Sequence, residues 1–340
     1  MITKVHLENF GPLRNIEWGQ LGNINLIIGR NGTGKTFLLK ALYCAIRSVE
    51  AFGRGNDNRR LEEILADKLY WTFQPEKIGD LVSKDGDGRL SCDMDLDNKH
   101  LFYEFGRSTE KSLKKIPTNI QPGKRPANSI FLPAKEVLSL HGIILRTRRP
   151  DHQEFGFDDT YFDLANVLTD LPSGGKNFQE FKNSRKQLEE IIGGKLEFDE
   201  KRNRWLFKKG RSKFPIGLTA EGIKKIAILD ILLGNRYLTP ESVIFIDEPE
   251  SALHPEAVSK FLDIITLLAK RGVQIFMASH SYFVVKKLYL IAQKERLSIP
   301  LLHEADGAWH QSDLKDGLPD NSIIDESVRL YEEAIDLALL

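Results

Sequence analysis

Gly29-Arg30-Asn31-Gly32-Thr33-Gly34-Lys35-Thr36 fills every position of the pattern GxxxxGK[ST]. Its glycines let backbone N–H groups turn inward around an anion. Lys35 adds a reaching positive charge for β- and γ-phosphate oxygens, and Thr36 adds a hydroxyl for Mg²⁺. Gly29, Arg30, Asn31, Gly32, Thr33, Gly34, Lys35 and Thr36 are therefore the expected cofactor-binding residues, with Lys35 also acting in catalysis, and the chemistry they suit is binding of ATP or GTP.

A second set carries carboxylates. Val243-Ile244-Phe245-Ile246 leads directly into Asp247-Glu248-Pro249-Glu250, an apolar strand delivering acids to its C-terminal end, where open parallel α/β sheets bind ligands. Asp247 is expected to hold Mg²⁺, through water, and Glu248 to polarise the attacking water as general base. Val273 to Ala278 reads as a second buried strand, and it ends at Ser279-His280-Ser281. His280 then falls at the same sheet edge, where it can orient water or sense the γ-phosphate.

These residues need elements to position them. Ile24 to Ile28 reads as the strand before the glycine loop, and Phe37, Leu38, Ala41, Leu42, Ala45, Ile46 and Val49 recur at helical spacing after it. Lys4 to Phe10 alternates like a half-exposed strand and turns at Gly11-Pro12, with a second strand over Ile16 to Trp18. Leu90 to Phe105 reads as a hairpin turning at Asp97-Asn98; residues 53–60 and 107–128 have loop composition. Ser129 to Leu132 is a further core strand. Residues 136–195 turn helical, with a helix over Asn177 to Ile192, and form an insertion between two parts of a head, 1–135 and 196–340. Leu196 to Lys208 reads as a hairpin, Ala220 to Leu233 and Pro255 to Lys270 as helices. Ile324, Val328, Tyr331, Ile335 and Leu339 mark a C-terminal acidic helix within 321–340, capped near Asn321.

With 340 residues and 41% apolar content, the chain can build one large α/β domain with an insertion, or two domains. Lys+Arg and Asp+Glu are both 48, so overall charge announces no nucleic acid. Locally it is uneven. Lys195 to Lys213 holds eight basic residues against three acidic, and His303 onward holds ten acidic against two basic. Cys44 and Cys92 suggest neither a disulfide framework nor a zinc site. No apolar run has the length of a membrane span and no signal-peptide stretch opens the chain, so a cytoplasmic protein is expected.

The pattern resembles the ABC-type ATPase heads of the SMC, RecF and OLD group, bacterial AAA-family ATPases, over nearly the whole chain. The loop matches GxNGxGKT including Asn31, Asp247 to Glu250 match DEPE before a Leu253-His254-Pro255 turn, and Ser279-His280-Ser281 matches the switch histidine's context. The resemblance implies an α/β P-loop NTPase fold with a mixed-sheet lobe, a core sheet flanked by helices, and Mg²⁺-dependent ATP hydrolysis. It also implies a glutamine between the lobes that serves metal and catalysis, for which Gln74 is the candidate. A signature at a helix start is implied too, here Ala220, Glu221 and Gly222. Ala220 stands where the family has a hydroxyl, which Thr219 or backbone N–H groups could replace. Such heads close head to tail on ATP, so a homodimer or larger even-numbered assembly is expected.

The client is less legible. Too few residues follow His280 for the TOPRIM nuclease of OLD proteins, and Asp93, Asp95 and Asp97 read as the solvent face of a strand rather than a metal cluster. The basic stretch and Arg146, Arg148 and Arg149 are candidate DNA contacts. The leading expectation is an ATPase subunit regulating a separately encoded effector, a nuclease or toxin, in prokaryotic anti-phage defence or genome maintenance. Alternatives are a RecF-like repair ATPase acting directly on DNA, and a non-catalytic ATP-dependent scaffold.

Overall fold

Successive strand residues point to opposite faces of a sheet, so the unbroken apolar run Val243 to Ile246 needs cover on both sides. The computed structural model provides it: Ile244 and Ile246 enter one hydrophobic core, Val243 and Phe245 another. It describes residues 1–85, 88–123, 125–149, 152–153, 155–170, 182–199, 202 and 204–338.

The chain opens with β1 (Ile2–Phe10), β2 (Leu13–Trp18), β3 (Ile24–Ile28), α1 (Lys35–Ala51) and α2 (Leu61–Phe73). There follow β4 (Leu90–Leu96), β5 (Lys99–Phe105), β6 (Ser129–Leu132), α3 (His141–Arg146), β7 (Arg148–Arg149), β8 (His152–Gln153), α4 (Asp159–Leu168) and α5 (Lys182–Ile192). Next come β9 (Lys195–Asp199), β10 (Arg204–Lys209), β11 (Ser212–Pro215), α6 (Glu221–Gly234), β12 (Val243–Asp247) and α7 (Pro255–Lys270). The chain closes with β13 (Gln274–Ser279), α8 (Tyr282–Glu295), β14 (Pro300–Ala305), β15 (Ala308–Asp313) and α9 (Ser322–Ala338).

The central sheet runs β15-β14-β3-β13-β12-β6, parallel except for the β14–β15 hairpin at its edge. An antiparallel lobe sheet, β2-β1-β4-β5, lies on the α1 side, and β9, β10 and β11 form a small third sheet. The lobe is locked to the centre by Gln274, whose Oε1 accepts from the Ile2 N–H at 2.8 Å and whose Nε2 donates to the Ile2 carbonyl at 2.7 Å. Between lobe and central sheet, Phe245 stacks on Phe276 with centroids 5.4 Å apart and Trp18 meets Phe276 edge-on at 5.7 Å. Each such buried ring contributes about 1.5–3 kcal/mol relative to exposure. The opposite face is covered by α6, α7 and α8, with α4 and α5 sharing that core.

The expected hairpin is present, turning through Asp97 and Asn98 at φ 51° and 59°, the paired left-handed residues of a two-residue turn. Asp97 therefore leaves the strand face on which it was expected and pairs with the Met1 amine and Arg125. Asp93 and Asp95 do share the outer face, beside His100. The helix expected from Asn177 is described from Lys182 onward; residues 177–181 lie outside the described residues. α9 starts where expected, with Asn321 Oδ1 accepting the Ile323 N–H at 3.0 Å. No helix among the described residues is long and apolar enough to cross a membrane.

Candidate active site

Because β3, β12 and β13 are parallel neighbours, their C-terminal ends come out together. The register pairs Ser279 with Ile28 and Ala278 with Asp247, so the glycine loop, the acids and His280 share one edge. The loop leads into the N-terminus of α1, whose first turn holds no acidic residue, so the positive end of the helix dipole is not countered there and suits an anion. Gly32 and Gly34 have φ of 83° and 97°, which only glycine adopts without strain. A Cβ on Gly34 would also lie 2.8 Å from Leu13 Cδ2 and 2.9 Å from Pro12 Cγ.

The loop faces a pocket of about 480 Å³ lined by Asn31, Gly32, Gly34, Lys35, Thr36, Lys40, Phe73, Asp247 and Glu248 among others. Lys35 Nζ donates to the carbonyls of Gly29 at 2.7 Å and Arg30 at 2.9 Å. Burial pushes its ammonium below the ordinary lysine range, against the pull of Asp247, Glu248, Glu250 and Glu304. Thr36 Oγ1 lies 3.0 Å from both carboxylate oxygens of Asp247, and burial raises that carboxyl, opposed by the Thr36 bond. A hydroxyl and a carboxylate converging beside the glycine loop are hard oxygen donors that fit Mg²⁺.

Glu248 has φ 48°, a left-handed conformation, and its N–H donates to Ala278 O at 2.9 Å. His280 Nδ1 lies 3.4 Å from Glu248 Oε1 and 3.7 Å from Glu250 Oε1. Glu250 also accepts from Ser279 Oγ at 2.8 Å and from the His280 N–H at 3.3 Å, tying the acid loop to the histidine loop.

Thr33 Oγ1 donates back to Arg30 O at 2.9 Å, and Arg30 pairs with Glu304 on β14 at 3.4 Å. Gln74 caps α2 one residue beyond the lining Phe73; its Nε2 is buried without a hydrogen-bond partner, and it does not line the pocket. Ala220, Glu221 and Gly222 open α6 away from that pocket, against the Ser251 to Leu253 turn that precedes α7. His254 Nδ1 caps α7 and Pro255 opens it, which explains the Leu-His-Pro turn. The basic candidates are largely engaged: Arg148 pairs with Asp159 at 2.9 Å and lies 3.6 Å over Trp71, Lys208 and Lys213 both hold Glu197, and Arg202 pairs with Asp199. The Arg149 and Lys201 side chains lie outside the described residues. Lys40 was missed, although its place four residues after Thr36 puts it on the same helix face.

A family model described as "AAA domain, putative AbiEii toxin, Type IV TA system" matches residues 24–286. The chain belongs to this family of AAA-type ATPases. Among solved structures, the AAA-type ATPase is similar to an Smc head bound to the C-winged helix domain of ScpA, with a TM-score of 0.55, 13% identity, and coverage of 92% of this chain and 97% of that one. It is also similar to a Pyrococcus furiosus Smc head with an extended coiled coil, bound to the C-terminal domain of ScpA. There the TM-score is 0.52 at 13% identity, covering 98% of this chain and 99% of that one. At these identities the likeness shows the fold, an SMC-type ATPase head. The uncharacterized protein MJECL10 of Methanocaldococcus jannaschii is 29% identical over 114 residues, 33% of this chain and 47% of that protein. The ATPase thus spans about half the length of the curated relative it matches.

Proposed function

We propose that this AAA-type ATPase binds Mg²⁺-ATP at the start of α1, hydrolyses it between two copies, and regulates a separately encoded effector, a nuclease or toxin, in anti-phage defence or genome maintenance. The observation that carries nucleotide binding is the meeting of Thr36 Oγ1 with both Asp247 oxygens at 3.0 Å, behind a loop where a Cβ on Gly34 would crowd Leu13 and Pro12.

Lys35 would exchange its two loop carbonyls for phosphate oxygens, and Gly29 to Gly34 would supply backbone N–H groups. Thr36 and Asp247 would hold Mg²⁺, which when bound neutralises and polarises the phosphoryl oxygens. Gln74, next to the pocket-lining Phe73, is proposed to join them when nucleotide binds. Glu248 would take a proton from the attacking water, and His280, held by Glu250, would orient it.

Ala220, Glu221 and Gly222 would serve the nucleotide of a second copy, since they face away from their own pocket. Thr219 Oγ1 is buried without a partner, so it would have to turn outward to supply the hydroxyl that Ala220 lacks, and backbone N–H groups at the start of α6 are proposed to serve in its place. The family's description, which names a toxin–antitoxin system, and solved Smc heads bound to ScpA domains support a protein partner. Residues 136–195 are proposed as the insertion that partner reads, joined to the pocket by Lys40–Asp158 at 2.6 Å. α9 is the alternative dock, with Val328, Tyr331 and Ile335 exposed.

Two substitutions test the site. Lys35→Ala should abolish ATP binding by calorimetry, while Glu248→Gln should keep it and lower turnover about 10²–10⁴-fold, the usual weight of a general base. Equal ATP affinity in wild type and Lys35→Ala refutes the assignment.

A further inference from the structure

Lys225 sits on α6 three residues after Gly222 and is only 5% exposed. Its Nζ leaves the helix and donates to two backbone carbonyls of the acid loop, Asp247 O at 3.1 Å and Glu248 O. Burial pushes this amine down to about 8, against the opposing pull of Glu250, Asp247 and Glu248. A buried cation is costly, and an apolar side chain of similar volume would avoid that cost. Packing alone therefore does not account for a lysine here.

What it holds is the unusual part of the site. Glu248 is in the left-handed region, which is unfavourable for an ordinary residue and persists only where its surroundings enforce it. Its N–H is fixed by Ala278 O, and its carbonyl accepts both from Lys225 and from the Ser251 N–H at 3.0 Å. The same helix meets the same loop at a second point. Gly222 lies so close to the following turn that a Cβ would be 2.6 Å from Leu253 Cδ2 and 2.7 Å from Ala252 O. One steric contact and one charged contact join the start of α6 to the segment from Asp247 to Leu253.

We infer that Lys225 is a positioning residue that fixes the backbone of Glu248 to the signature helix, so that engagement of that helix by a partner's nucleotide is passed to the subunit's own general base. This rests on the reading of Glu248 as base and of Ala220 to Gly222 as signature. A rigid strut of this kind makes each subunit's hydrolysis depend on what its signature helix touches. The helix and the base then answer together, without contact between the two nucleotides.

The test is a double-mutant cycle in the full chain with Mg²⁺-ATP, turnover being normalised to nucleotide-binding sites titrated with a fluorescent ATP analogue. Lys225→Met should lower kcat per site at least fivefold while the ATP Kd stays within threefold of wild type. In a Glu248→Gln background, the same substitution should change single-turnover hydrolysis less than twofold, because the group it positions is gone. A fall in kcat of less than fivefold overturns the inference, as does an undiminished effect in the Glu248→Gln background. Should Lys225→Met not fold, Lys225→Gln replaces it, and failure of both assigns the lysine to folding and overturns the inference. If Glu248→Gln itself leaves turnover unchanged, the site reading fails instead, and the two failures are told apart.

Discussion

Asp158 joins two kinds of interaction that substitution can separate. It is the N-cap of α4: Oδ1 accepts from the Thr160 N–H at 2.8 Å and the Thr160 hydroxyl at 2.5 Å. Its other oxygen accepts from Lys40 Nζ at 2.6 Å, and Lys40 lines the pocket at the glycine loop. Asparagine caps helices as well as aspartate, so Asp158→Asn should keep the cap and lose only the ion pair. The side chains are 21% and 14% exposed, between a solvated surface pair near 0–1 kcal/mol and a fully buried one that costs 3–5 kcal/mol to break. We expect Asp158→Asn to destabilise by about 1–2 kcal/mol. Asp158→Ala removes the cap as well, adding about 1 kcal/mol, for a total near 2–3 kcal/mol. Urea unfolding with an unchanged m-value measures both. In a Lys40→Met background the asparagine variant should cost less than about 0.5 kcal/mol, since its partner charge is absent. Equal losses for asparagine and alanine would remove the cap from the account. An asparagine loss unchanged by Lys40→Met would remove the ion pair, and with it the link between α4 and the pocket.

Other consequences are open to direct measurement. Glu50 is fully buried and accepts from the Ser129 N–H, the Ser129 hydroxyl, Arg47 and Arg125; Glu50→Gln should cost about 3–5 kcal/mol in urea unfolding by stranding buried guanidinium charge, and a cost below 1 kcal/mol would contradict it. Burial pushes the Cys44 and Cys92 thiols up to about 12, so Ellman's reagent at pH 8 should leave the folded protein unlabelled and modify both thiols after denaturation. Glu248→Gln with ATP and Mg²⁺ should form a dimer or larger even-numbered assembly by light scattering, and wild-type turnover from a strictly monomeric protein would sink that expectation. The purified chain should hydrolyse ATP without cutting DNA; plasmid cleavage that tracks this protein through purification would place effector chemistry within it.

The placing of Gly29 to Thr36 between β3 and α1 is legible in the sequence because such a loop is a local object: eight consecutive residues between a strand and a helix contain its backbone geometry. Asp247-Glu248 and His280 were nearly as legible, since an apolar run ending in a polar residue tells which end of a buried strand carries the chemistry. Asn321 and the Asp97-Asn98 turn follow the same logic of short range. What the spacing along the chain could not carry is which distant side chains would meet. Asp158 is 118 residues from Lys40, Glu304 is 274 from Arg30, and Lys225 reaches a loop 22 and 23 residues away. The spacing does not reveal α8 or the β14–β15 hairpin, nor the Glu304 that Arg30 of the glycine loop meets. Arg148, a candidate DNA contact on sequence, has Asp159 and Trp71 set against it by the fold. Local order follows from backbone geometry and side-chain periodicity, which the sequence states residue by residue. Partnership between charges follows from the crossing of elements in space, and only the packed sheet and its helices decide it.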